Sequence, residues 1–156
     1  MAYDPTQDVE AVDWAAYGTA YGGAERVPRL LMQLASAHVP TATGAAHELW
    51  SGLCHQHAYV SSAALPSYPI VLRILANAEQ GLAVEILDVL LGFARCSSPG
   101  FGANIQSCSG WKSELHAAMQ ADITTFEALA GADNEEVREF ARLIVDAVGG
   151  DVDASA

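Results

Sequence analysis

Between Leu82 and Arg95 the chain reads Leu-Ala-Val-Glu-Ile-Leu-Asp-Val-Leu-Leu-Gly-Phe-Ala-Arg, and only Glu85, Asp88, Gly92 and Arg95 interrupt its apolar character. Steps of three, four and three place those four residues on one line of a helix. The remaining circumference is apolar, so the pattern predicts a helix covered on most sides with a single narrow polar stripe. The run is 14 residues long and carries two carboxylates, whereas a membrane-spanning helix needs roughly 20 apolar residues. It is therefore expected to be the central helix of a water-soluble helical domain.

The same periodicity predicts the other elements. Residues 25–37 form a helix with Pro28 in the first turn, where proline is tolerated, and Leu30, Leu31 and Leu34 inward. Residues 41–56 form a second, capped by Thr41 or Thr43, with Ala46, Leu49, Trp50 and Leu53 on one face. A break over 57–62 and a single turn over 62–66 precede a helix over 67–77. Residues 96–110 are rich in glycine and serine and read as a long loop. Helices are then expected over 111–130, with Leu115, Met119, Ile123 and Phe126 inward, and from Asp133 to about Val148, where Asp133 and Glu136 form a capping-box-like start and Gly149-Gly150 a stop. Near the N-terminus, Trp14, Tyr17 and Tyr21 have the spacing of a short amphipathic helix that Gly18, Gly22 and Gly23 weaken. They are read either as a cap over one end of the core or as an aromatic binding patch.

The helices repeat. Residues 27–35, Val-Pro-Arg-Leu-Leu-Met-Gln-Leu-Ala, align with 68–76, Tyr-Pro-Ile-Val-Leu-Arg-Ile-Leu-Ala, at an offset of 41, and a weaker copy ends at Leu129-Ala130. Each copy is followed by a second helix. A helix pair every ~40–47 residues is the period of HEAT repeats, whose pairs must stack to bury their apolar faces. The expected fold class is thus all-α: a HEAT-like α-solenoid of about three helix pairs in a right-handed superhelical stack, without a sheet. Residues 1–24 are assigned to an N-terminal capping segment, 25–149 to the repeat domain and 150–156 to a flexible tail.

Composition narrows the function. Seven basic against nineteen acidic residues give a net charge of −12, and Lys112 is the sole lysine. Nucleic-acid binding needs clustered cations to displace counterions from phosphates, so it is not expected. A basic protein surface is the natural complement of so acidic a chain, while the charge also serves solubility. Cys54, Cys96 and Cys108 are odd in number and form no CxxC pair. Cys96 and Cys108 flank the loop and are close enough in sequence to meet, but a reduced state is expected. The first ten residues are acidic and polar, so neither a signal peptide nor a membrane anchor is expected, and the cytoplasm is the default.

Catalytic motifs are few. His47-Glu48-Leu49-Trp50-Ser51 has Ser51 where a zinc-protease helix carries its second histidine. Cys54, His55 and His57 have the chemistry of a metal or thiolate site but lack a fourth ligand at a recognisable spacing. The alternative is that His55 and Gln56 satisfy carbonyls at a helix end. Neither cofactor nor metal is expected, and the chain is not expected to be an enzyme; a small Cys/His-dependent enzyme is the remote alternative.

The outward lines of the second helices hold Glu48, then Glu85 and Asp88, then Glu139 and Asp146, which side by side would form an acidic trough. His55, His57, Tyr59 and Trp111, at loop and helix ends, complete the expected partner-binding set. The stretch from Leu53 to Pro66, Leu-Cys-His-Gln-His-Ala-Tyr-Val-Ser-Ser-Ala-Ala-Leu-Pro, resembles the Leu-x-His-Gln element followed by Tyr, small residues and Ala-x-Pro of small bacterial HEAT-like proteins. The similarity spans about residues 12–148, with His57 standing where a small residue is more usual and the Gly/Ser-rich loop added. The resemblance implies an immunity protein that binds a cognate toxin with a basic active-site surface and occludes it. The alternative is a non-catalytic HEAT-like adaptor or regulator of a cellular protein.

Overall fold

The computed structural model describes residues 3–99 and 110–154, with side chains described as far as residue 149. These residues form eight α-helices: α1 (Thr6–Glu10), α2 (Val27–Leu34), α3 (Val39–Leu53), α4 (Ala64–Ala76), α5 (Gln80–Ser97), α6 (Gly110–Ala121), α7 (Ile123–Leu129) and α8 (Glu135–Ala154). A ribbon of two short antiparallel strands, β1 (Gly18–Thr19) and β2 (Gly22–Gly23), joins α1 to α2.

The central apolar run is α5. Its N-cap is Glu79, whose carboxylate accepts the Leu82 N–H at 2.6 Å and so satisfies one of the donors a helix start leaves open. Leu82, Ile86, Leu87, Val89, Leu90, Leu91 and Phe93 are all buried, each worth roughly 1.5–3 kcal/mol of transfer free energy. Helices α3, α4, α6 and α8 pack around α5. Helices α3, α5 and α8 lie side by side in that order, and α2, α4 and α6 touch in the same order. The described residues are all-α apart from the ribbon.

The structure corrects several local expectations. A ribbon stands where no sheet was predicted, because Gly22 adopts φ +123°, which only glycine takes up without strain. The same turn keeps Trp14, Tyr17 and Tyr21 off a common helix: Trp14 starts a short 3-10 turn, Tyr17 is extended and Tyr21 is 71% exposed. Residues 64–76 are one helix running through Pro69, not a turn and then a helix. Conversely, the helix predicted over 111–130 divides at Asp122, whose carboxylate accepts a 2.9 Å hydrogen bond from the buried Tyr68 hydroxyl. Asn134, not Asp133, caps α8 by accepting the Val137 N–H at 3.0 Å. Helix α8 also continues past Gly149 and Gly150 to Ala154, since glycine costs a helix interior only about 1 kcal/mol. Cys108 and the predicted loop from residue 100 to 109 lie outside the described residues.

The N-terminal segment is fastened rather than draped. The Tyr3 hydroxyl donates to Asp8, Arg73 of α4 pairs with the same carboxylate at 3.0 Å, and the Arg73 guanidinium lies 5.8 Å from the Tyr3 ring centroid. Among the described residues, no helix is long and apolar enough to cross a membrane.

Burial also sets the alkaline limit of the fold. It raises the Cys54 thiol from its ordinary 9.0 to about 12 and Cys96 to about 11, and it drives the Tyr68 phenol upward, an effect the hydrogen bond to Asp122 reinforces. Each group ionises first in the unfolded chain. The stability these groups contribute is complete below about pH 9 and disappears as pH rises through the folded values. Cys54 alone is expected to contribute a loss of about 2–3 kcal/mol by about pH 11. Urea midpoints measured from pH 7 to 11 should be flat at first and then fall, with a shallower fall in Cys54→Ala.

Candidate functional site

Three segments converge at the C-terminal end of α3. The helix stops at Leu53 because the next residues reverse the chain: His55, Gln56 and His57 have φ of 40°, 57° and 69°. Three consecutive non-glycine residues in the left-handed region are costly, at about 1–2 kcal/mol each. The turn is closed by the Ala58 N–H on the His55 carbonyl at 3.0 Å and by the Ser61 N–H on the Leu53 carbonyl at 2.8 Å. The ribbon is pinned to the same corner, since the Ala20 N–H donates to the Gly52 carbonyl at 2.8 Å, the Gly18 N–H to Ser62 Oγ at 2.9 Å, and the Ala63 N–H to the Gly18 carbonyl at 3.0 Å.

What holds the strained turn is α5. His57 Nε2 lies 2.9 Å from both the Asp88 carbonyl oxygen and Asp88 Oδ1, so that nitrogen carries the proton and donates to the pair. The ring also meets Trp50 edge-on at 6.2 Å. Gly92 makes the approach possible: a Cβ there would overlap Cys54 Sγ and stand 2.8 Å from His57 Cδ2. The polar stripe of α5 is therefore partly an internal seam, with Gly92 buried and Asp88 engaged, while Glu85 and Arg95 remain exposed.

His55 lies on the outside of the turn. Its ring is 4.9 Å from that of Tyr59, tilted by 31°, and 6.2 Å from that of Tyr21, edge-on. Tyr21 and Tyr59 are among the few large hydrophobic side chains that the surface exposes. His55 Nδ1 is enclosed and has no hydrogen-bond partner among the described residues. Such an atom typically costs ~1–3 kcal/mol. The strained turn and the unbonded His55 nitrogen thus coincide with one exposed aromatic cluster.

The predicted site set is only partly assembled. His55 and Tyr59 come together, and Tyr21, assigned above only to the N-terminal aromatics, joins them. His57 is turned inward as a positioning residue. Among the described residues, neither the His55 nor the Gln56 side chain bonds a helix carbonyl; His57 bonds that of Asp88. Trp111, at the start of α6, packs against the core. The acids do not form an uninterrupted trough. Glu48 pairs with Arg26 at 2.7 Å, Asp88 with His57, and Glu139 with Arg142 at 3.8 Å, while Asp146 shares a surface depression with Arg95. Glu85 is left exposed on α5.

No group of three or more His, Cys, Asp and Glu residues among those described is disposed to hold a metal ion. Cys54 is fully buried, its S–H directed at the Trp50 carbonyl at 3.2 Å, and burial holds it protonated. Beside the cluster, the ribbon, α2 and α3 enclose a cavity of about 360 Å³. No family model, curated protein or solved structure matches the chain.

Proposed function

We propose that this chain is a binding protein without catalysis of its own, an immunity protein that docks on a cognate toxin through the Tyr21–His55–Tyr59 face and occludes the toxin's active site. The observation that carries the docking face is the left-handed turn at 55–57, which holds two exposed tyrosines against a histidine with an orphaned nitrogen. The toxin as partner is what the resemblance of residues 53–66 to small bacterial HEAT-like immunity proteins adds. In the same proposal the three helix pairs are HEAT-like units of a right-handed solenoid. Support for that comes from the side-by-side order of α3, α5 and α8 and from the repeat at an offset of 41 residues. The net charge of −12 suits a basic partner, and charge attraction would speed encounter more than it strengthens the complex; the proposed setting is the cytoplasm.

The test is affinity capture with the full chain from its native host, followed by identification of the bound protein and a growth assay of the deletion strain. The expected result is a captured protein that arrests growth when this chain is withdrawn. Tyr59→Ala and Tyr21→Ala should each weaken capture by about 2 kcal/mol, roughly 30-fold, the range of a buried aromatic anchor. Capture of a harmless cellular protein, with no growth defect on deletion, would replace the immunity reading by the adaptor reading. Full affinity in both tyrosine variants would place the docking face elsewhere.

A further inference from the structure

The cavity of about 360 Å³ beside the aromatic cluster has the volume of a small-ligand or anchor-residue site. Val27, Leu30, Leu49 and Leu53 supply an apolar floor, and Tyr21, Glu25, Arg26 and Glu48 stand around it. The charges there are unequal. Arg26 and Glu48 neutralise one another at 2.7 Å. Glu25 has no hydrogen-bonded or ionic partner among the described residues, and its carboxylate lies so close over Gly23 that a Cβ at that position would overlap it. His47, the remaining titratable group of the lining, sits 5.6 Å from the Trp50 ring. An anion entering the cavity would find its one guanidinium already engaged and a bare carboxylate beside it. A cation would neutralise Glu25, reach the second oxygen of Glu48 and stand beside Tyr21 at the rim. The floor suits methylene groups, and the combination of an apolar stem with a cationic head is that of a long basic side chain.

We infer that this cavity is an anchor pocket for a lysine or arginine side chain of the protein partner, its stem on the leucine floor and its head between Glu25 and Glu48. The inference rests on the docking reading above and names the chemistry that reading leaves open. Tyr21 belongs to both features, so the aromatic face and the pocket form one continuous surface.

Butylguanidinium is the probe, titrated into the isotope-labelled full chain and followed by backbone amide shifts, with butyrate and butanol as controls. The cation is expected to give saturable shifts confined to residues 19–30 and 47–53, with neither control doing so. The double variant Glu25→Gln/Glu48→Gln should weaken it at least tenfold while leaving the rest of the spectrum in place. Equal binding of butyrate or butanol, or undiminished binding by the double variant, would overturn the pocket. A second arm captures the protein partner with Ser51→Trp, which crowds the cavity. Lost capture in a variant that keeps the native spectrum supports the anchor, whereas full capture overturns it and leaves the docking face standing. Cation binding without any captured protein overturns the polypeptide source and assigns the pocket to free alkyl cations.

Discussion

Replacing Gly92 with alanine is expected to lower the unfolding free energy by about 3 kcal/mol, the upper range for overpacking a closed core. The added methyl would overlap Cys54 Sγ, lie 2.9 Å from Cys54 Cβ and lie 2.8 Å from His57 Cδ2. Cys54 is pinned on a backbone that turns immediately afterwards, so neither neighbour withdraws without dragging the 55–57 turn with it. Alanine is otherwise the better helix former by about 1 kcal/mol, and that gain offsets only part of the loss. Gly44→Ala is the control. It lies in α3, where the added Cβ would meet open space beyond its own helix backbone and chain neighbours, and it should raise stability by about 0.5–1 kcal/mol. Urea midpoints of the two variants should move in opposite directions. A gain at Gly92 equal to that at Gly44 would mean that α5 and the turn are not in close contact.

The contrast between those two glycines shows what the residue pattern carries and what it does not. Helix α5 was legible because its apolar residues cover nearly the whole circumference, and burial followed. Gly92, placed on the polar stripe by its spacing, is a buried contact, because a missing side chain looks the same to periodicity whether it faces water or a neighbouring chain. Two helix ends differ from the pattern: α4 starts at Ala64 rather than at residue 67, which puts Pro69 in its interior, and α8 runs on through Gly149-Gly150; helices held by packing absorb local penalties of about 3 kcal/mol for the proline and about 1 kcal/mol for each glycine.

The candidate site was harder to read. The element Leu53-Cys54-His55-Gln56-His57 stands out by its polar residues, but nothing in those residue types announces three left-handed conformations in a row. The carboxylates were correctly placed on their helices, yet their partners were hidden. Arg26 is 22 residues from Glu48, and His57 is 31 from Asp88. Only the packing of helices brings such pairs together, and that packing turns an expected trough into separate ion pairs, leaving Glu85 exposed and, among the described residues, Glu25 without a counter-charge.

His57→Ala is expected to cost about 2–3 kcal/mol, since it removes a hydrogen bond shared between the carboxylate and the carbonyl of Asp88 and opens the seam beneath the turn. Gln56→Gly should do the reverse. Gln56 is exposed at φ 57° and ψ 37°, glycine adopts that conformation freely, and the relief outweighs the entropy glycine adds to the unfolded chain by about 0.5–1 kcal/mol. The two variants together separate structure from function. If the strain serves only to join α3 to α4, Gln56→Gly will be more stable and bind its partner as the native chain does. If the strain holds His55 between Tyr21 and Tyr59 for contact, the same variant will be more stable yet bind more weakly, because the relaxed turn presents that face in more than one arrangement. We expect the second outcome, a rise in urea midpoint accompanied by at least a fivefold loss of partner affinity.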